Sequence, residues 1–285
     1  IRRPPRSTHC ISSAASDVYK RQLPYHEMLS ISYSKLIGAK SSEVIAMNTL
    51  TVNLHLMMVS FYKPEKNKFK ILIEKDAFPS DIYAVESQIK FHGFKSDEAL
   101  IKLEPRKGEY FIRQEDVEKI IKENSNEIAL ILLGGVNYYT GQLFDMQKIT
   151  KVGHENGIVV GFDLAHAIGN VKLELNKWNV DFAVWCSYKY LNSGPGAIAG
   201  AFVNERFHNV ELPRFTGWWG HNKKERFLMD DKFKPIKSAE GWQLSNPPIF
   251  SLAPVFASLS IFCLLYTSDA ADDMQCVDLG GRRII

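Results

Sequence analysis

Cysteine is scarce and scattered: Cys10, Cys186, Cys263 and Cys276 are the only four in 285 residues, with neither the close pairing of a zinc site nor the density of a disulfide scaffold. This usage leads us to expect a reducing, cytoplasmic setting. No charge of one sign dominates. The 35 basic and 32 acidic residues leave a formal net charge of +3, which argues against nucleic acid as a partner and leaves room for a small anionic ligand. No uninterrupted apolar run is long enough for a bilayer, because Ile249 to Tyr266 contains Pro254 and several serines and reads as a buried helix. We therefore expect no membrane anchor. Arg2, Arg3 and Arg6 are not followed by the apolar segment of a secretory signal. Also missing are a Gly-x-Gly-x-x-Gly opening a helix, a Walker-type lysine loop and a Gly-x-Ser-x-Gly nucleophile turn. His154, His166, His208 and His221 show no metal-ligand spacing, so no metal is expected.

What is present is the composition of a globular chain, 45% hydrophobic and 24% charged, enough to bury a sizeable core. Over residues 23–262, apolar strand-like runs alternate with amphipathic helical ones. EVIAMN (43–48) reads as a strand followed by a long apolar helix from Thr49, and KILIEKD as a strand that ends at the turn FPSD, before an amphipathic stretch over Ile82 to Phe91. Helices are expected over Asp116 to Glu123 and Asp145 to Glu155. Strands are expected at Ile128 to Leu133, Gly157 to Phe162, DFAVWCS and GAIAGAFV. This alternation predicts an α/β fold with a mainly parallel central sheet, whose ligands bind where strands end and helices begin. Residues 1–22 and 263–285 lack the pattern, and there is no initiating Met. Both tails resemble translated adapter sequence and are expected to be non-native, flanking a single partial domain over 23–262. Ordinary unstructured termini are the alternative.

The chemically unusual residues gather at the predicted strand ends. Lys189, in CSYKYLNSGPGAIAG, follows an apolar strand and precedes a glycine-rich bend. That setting desolvates an amine and leaves space for a ligand, as an aldehyde-binding lysine requires, although a surface lysine beside a turn would look the same. Asp163 closes an apolar strand, where a lone carboxylate needs a cation such as a protonated pyridine nitrogen, or else caps a helix beginning at Leu164. Thr51, in the first turn of a long helix, offers a hydroxyl and helix amides to a phosphate, or is a plain cap. Phe78 can lie against an aromatic ring or complete the core, and His166 can bond a cofactor or sit in the core.

The series MNTLTVNLHL, AFPSD, YYTGQ, VGFDLAHAIGN, WCSYKYLNSGPG, GWWGH and SNPP resembles, in order, the motifs of the kynureninase family. The resemblance implies a fold-type-I, pyridoxal-phosphate-dependent transferase-like large domain. It also implies a further amino-terminal segment and a small carboxy-terminal domain, carrying the arginine for the substrate's α-carboxylate, both missing from this sequence. The activity implied is hydrolysis of L-kynurenine, or 3-hydroxykynurenine, to an anthranilate and L-alanine in tryptophan catabolism. Lys189 would bind pyridoxal 5'-phosphate covalently and remove the substrate's Cα proton, Asp163 would pair with its ring nitrogen, and Tyr188 would reach the phosphate and deliver a proton. Leu50 and Thr51 would contact the phosphate and Phe78 would stack on the ring, within the turn that supplies Pro79, Ser80 and Asp81; His166 would lie close by. Trp218, with Trp219 as its alternative, and Asn246 would come from the partner in a homodimer with shared active sites. Gly134 stands where some members have serine. Another fold-type-I enzyme of the same cofactor, such as a cysteine desulfurase or an aminotransferase, or a chain that binds the cofactor without turnover, remains the alternative.

Overall fold

The structure is a computed structural model that describes residues 25–267. Its strands are β1 (Val44–Ala46), β2 (Lys70–Glu74), β3 (Leu100–Leu103), β4 (Ile128–Gly134), β5 (Val159–Asp163), β6 (Phe182–Trp185) and β7 (Gly200–Val203). They form one sheet in the order β1-β7-β6-β5-β4-β2-β3. From β3 across to β6 every pairing is parallel, whereas β7 runs antiparallel to β6 and to β1. β4, with sequence IALILLG, is buried along nearly its whole length, as a central parallel strand must be.

The helices are α1 (Tyr25–Ile37), α2 (Leu50–Phe61), α3 (Pro79–Phe91), α4 (Ser96–Ala99), α5 (Gln114–Glu123), α6 (Met146–Glu155) and α7 (Ile249–Thr267). Strand side chains alternate between two cores, one on each face of the sheet. Leu72, Ile131 and Leu133 point to the side where Leu29 of α1, Val117 of α5, Ile149 of α6 and Leu252 of α7 are buried. Ile71, Ile73, Leu130 and Leu132 point to the side of Leu54 and Met57 of α2, Val85 of α3 and Trp242. α5 and α6 bury a narrow stripe and leave their charged residues in water. The Asp145 side chain caps α6 by accepting from the Lys148 N–H at 3.0 Å.

The structure departs from the sequence reading in four places. α1 and the four-residue edge strand β3 were not anticipated. No helix begins at Leu164: after β5 the chain makes successive turns, with Ile168 N bonded to Leu164 O at 3.0 Å and Gly169 left-handed at φ 75°. α7 is not wholly buried; Leu252, Val255 and Leu259 face the core while Ile249, Phe250 and Ile261 are exposed. α7 also continues past 262 to Thr267; the rest of the two expected non-native tails lies outside the described residues. No helix among the described residues is long and apolar enough to cross a membrane.

Candidate active site

The parallel strands deliver their carboxy-terminal ends to one edge of the sheet, where a single cleft forms. Between β1 and α2 the turn is tight: Asn48 is left-handed at φ 50°, and its side-chain amide donates to Asn53 Oδ1 at 3.0 Å. Asn53 in turn donates to Met47 O at 2.8 Å, which fixes the start of α2 against the strand end. Leu50 and Thr51 in the first turn of α2 line the cleft.

After β2 the chain reaches Phe78, held extended at ψ 135° by the proline that follows, and α3 opens on Pro79. Phe78, Ser80 and Asp81 line the cleft, and Ser80 Oγ lies 3.0 Å from Thr51 Oγ1. Two helix amino-termini and two hydroxyls thus converge, a setting for an anion. Pro79 is exposed and does not line the cleft.

Asp163 ends β5 and is buried; its Oδ1 accepts from the Ala165 N–H at 2.7 Å, so it caps the turn rather than a helix. Burial pushes the Asp163 carboxyl well above the usual carboxylate range, and Asp81 follows for the same reason, with the Asp163 charge beside it adding to the rise. Asp81 Oδ1 has no hydrogen-bond donor other than a proton shared with Asp163. Two such buried carboxyls facing each other are an unfilled demand for a cation.

Lys189 follows β6. The strand exit is anchored by Ser187, whose Oγ donates to Ile198 O at 2.7 Å and lies 2.7 Å from the Tyr33 hydroxyl. Beyond Lys189 the bend needs left-handed backbone at Asn192 (φ 54°), Gly194 (φ 78°) and Gly196 (φ 76°). Lys189 Nζ stands 5.2 Å from the centre of the Phe78 ring, inside the same cleft as Asp163. Tyr188 and His166 complete the wall. Burial pushes the Tyr188 phenol up to about 12, so it stays protonated at neutral pH. Burial, then the Lys189 charge, hold the His166 ring below its ordinary value and so neutral.

Ten of the residues singled out in the sequence, Gly134 among them, therefore share this cleft, and Pro79, Trp218, Trp219 and Asn246 do not. Trp218 lies in a short 3-10 turn, exposed, with its indole N–H donating to Arg226 O at 3.2 Å. Asn246 is exposed and accepts from the Ser245 hydroxyl at 3.3 Å. The cleft also contains Glu74, Val136, Tyr138 and Ala165, which the sequence reading passed over. Tyr138 meets Phe78 edge-on, with ring centres 5.3 Å apart. Glu74 alone gave a signal, as a charged residue that alternation turns inward at the end of an apolar strand.

The aminotransferase class-V model matches residues 17–213. The chain belongs to the aminotransferase class-V family. Among curated relatives of this class-V chain, kynureninase from Flavobacterium psychrophilum is 58% identical over 239 residues, covering 84% of this chain and 56% of the relative. Kynureninase from Nematostella vectensis is 55% identical over 240 residues, covering 84% of this chain and 52% of the relative. The class-V chain thus spans about half the length of these relatives. Among solved structures, the apo cysteine desulfurase of Thermococcus onnurineus superposes with TM-score 0.70 at 20% identity, covering 85% of this chain and 57% of that one. That likeness is one of fold, an α/β domain with a mostly parallel sheet.

Elsewhere in the class-V chain, His26, Glu27 and Glu240 are the one group among the described residues with metal-like spacing. The Lys223 ammonium already sits there, 2.6 Å from Glu27 and 2.7 Å from Glu240.

Proposed function

We propose that this chain is the cofactor-binding part of a kynureninase, which uses pyridoxal 5'-phosphate to hydrolyse L-kynurenine to anthranilate and L-alanine, and 3-hydroxykynurenine correspondingly. One observation carries the reading: Lys189 and the buried Asp163 meet in one cleft of a chain 58% identical over 239 residues to a kynureninase. The donor set fits the cofactor. Asp163 and Asp81 would hold the protonated ring nitrogen and satisfy their demand for a cation. Phe78 would lie on the ring, Leu50, Thr51 and Ser80 would bind the phosphate with Tyr188 at its edge, His166 would stand alongside, and Lys189 would bind the aldehyde.

When bound, the cofactor supplies an electron sink for bond cleavage at the substrate. The chain's own residues do the rest. Lys189 Nζ, as the free amine, takes the proton from the substrate's Cα and returns it there before alanine leaves, since it is the one lysine among the described residues that lines the cleft. Water adds at the substrate's γ-carbonyl, and the bond from that carbon to Cβ breaks. The Tyr188 hydroxyl, held protonated, donates its proton to Cβ of the departing alanine. Asp163 would hold the ring nitrogen in its protonated form.

The assembly proposed is a cytoplasmic homodimer in which each subunit lends Trp218 and Asn246 to its partner's site. Support comes from their position: both lie away from their own chain's cleft, and Trp218 is 39% exposed despite its size. Turnover belongs to the whole protein, because the match covers only 56% of such a relative. The test is anthranilate fluorescence from L-kynurenine with the intact protein, with L-cysteine as control. Anthranilate with no sulfide supports the reading; sulfide from cysteine with no anthranilate overturns it.

A further inference from the structure

Glu74 has no assigned role, yet it is the most deeply placed carboxyl in the cleft. It is the last residue of β2, 3% exposed, and lines the cleft beside Asp163 and Asp81. Its oxygens accept from the Gly134 N–H at 3.1 and 3.3 Å, and the Asn137 side-chain amide donates to the same carboxyl. Gly134 is the last residue of β4, and in the sheet it stands opposite Asp163 on β5. The chain of contacts therefore runs Glu74, Gly134, Asp163 across three adjacent strand ends. The fit is close: a Cβ on Gly134 would stand 2.9 Å from Glu74 Oε1. The glycine at 134 thus gives the Glu74 carboxyl its room.

The charges around Glu74 are few. On α3 it faces Asp81 and on β5 Asp163, and Lys189 beyond β6 lines the same cleft; β4 offers the Gly134 N–H, the loop after it the Asn137 amide, and on β2 itself the next residue, Lys75, turns outward to Glu104 at 3.2 Å. Three buried carboxyls thus line one cleft with a single ammonium, and full ionisation would leave an uncompensated pair among them. Asp81 Oδ1, buried with no donor other than a proton shared with Asp163, is a second sign that the cluster is arranged for a cation it does not itself supply.

We propose that Glu74 is a positioning residue for Asp163, carrying a proton in the ligand-free site and fixing, through the Gly134 N–H, the strand end beside which Asp163 meets a cationic ring. As a neutral acid it keeps its acceptor oxygen on Gly134 without adding a repelling charge behind Asp163. This role deepens the function proposed above and rests on it only for the identity of the ring.

Glutamine copies the neutral acid and keeps one acceptor oxygen, so Glu74→Gln is the informative variant, and Glu74→Ala removes the acceptor. The ligand-free chain needs no cofactor for the first measurement, thermal unfolding from about pH 5 to about pH 8. The expected result is a midpoint that falls with rising pH in the wild type and falls distinctly less in Glu74→Gln. Equal slopes would overturn the proposal. In the second measurement, pyridoxal phosphate is titrated by absorbance at neutral pH. Glu74→Gln is expected to keep affinity within about twofold and a folded Glu74→Ala to lose about tenfold, the scale of one buried hydrogen bond. A glutamine variant that loses affinity as alanine does would also overturn it. If the wild type binds no pyridoxal phosphate, the proposed function fails, and the unfolding slopes still decide the role of Glu74.

Discussion

Lys189 and Asp163 differ in what their replacement should do. Lys189 has a ring face 5.2 Å away and a neutral His166 nearby, and its removal breaks no hydrogen bond of the carboxyl pair, although it takes away the ammonium that acts on both. Lys189→Ala is therefore expected to fold and to bind pyridoxal phosphate without the visible absorbance of the lysine-bound form. A visible band retained in that variant would count against the assignment. Asp163→Asn keeps an Oδ1 to accept from Ala165 but loses the charge opposite the ring nitrogen. We expect its affinity for pyridoxal phosphate to fall by about tenfold or more, as for a buried charged hydrogen bond, with the turn intact. Equal affinity in the two proteins would show that the charge is not used.

At the scale of elements, the site is held by strand ends whose spacing depends on small residues within the sheet. Gly161 in β5 is one such residue: a Cβ there would stand 2.1 Å from Cζ of Phe182 in β6. Gly161→Ala should destabilise the protein by about 1–3 kcal/mol, the usual cost of overpacking a core, read as a lower denaturation midpoint at unchanged slope. An unchanged midpoint would show that β6 gives way freely. Much of this architecture was legible in the sequence because β2, β4, β5 and β6 are apolar runs bounded by turn residues, and α5 and α6 carry a clear stripe. β3 was missed because LIKL is short and half exposed at the sheet edge, where burial leaves no pattern. The antiparallel direction of β7 was not legible, since a strand's sequence carries no sign of its neighbour's direction. Eight residues that line the cleft were legible because unusual side chains followed apolar strands, and Leu50 was named only by the motif resemblance. Glu74 escaped because its meaning lies in Gly134 and Asp163, which are adjacent only in the sheet.

For the molecule as a whole, the buried carboxyls make stability depend on pH. Glu74, pushed up to about 7 chiefly by burial, and Asp81 and Asp163, both raised, all titrate higher in the folded chain than in the unfolded one. Above about pH 4 the folded state thus holds more protons than the unfolded state, and stability is expected to fall as pH rises through about 7. Saturating pyridoxal phosphate should flatten that fall, because a cation beside Asp163 favours the ionised forms; a fall of equal steepness with and without it would contradict the placement of the ring nitrogen. The most direct test of the central claim is chemical trapping. The chain is incubated with pyridoxal phosphate, reduced with borohydride and digested, and the modified peptide is sequenced by mass spectrometry. The account predicts the phosphopyridoxyl group on Lys189, and a label on a different lysine, or none at all, would contradict it.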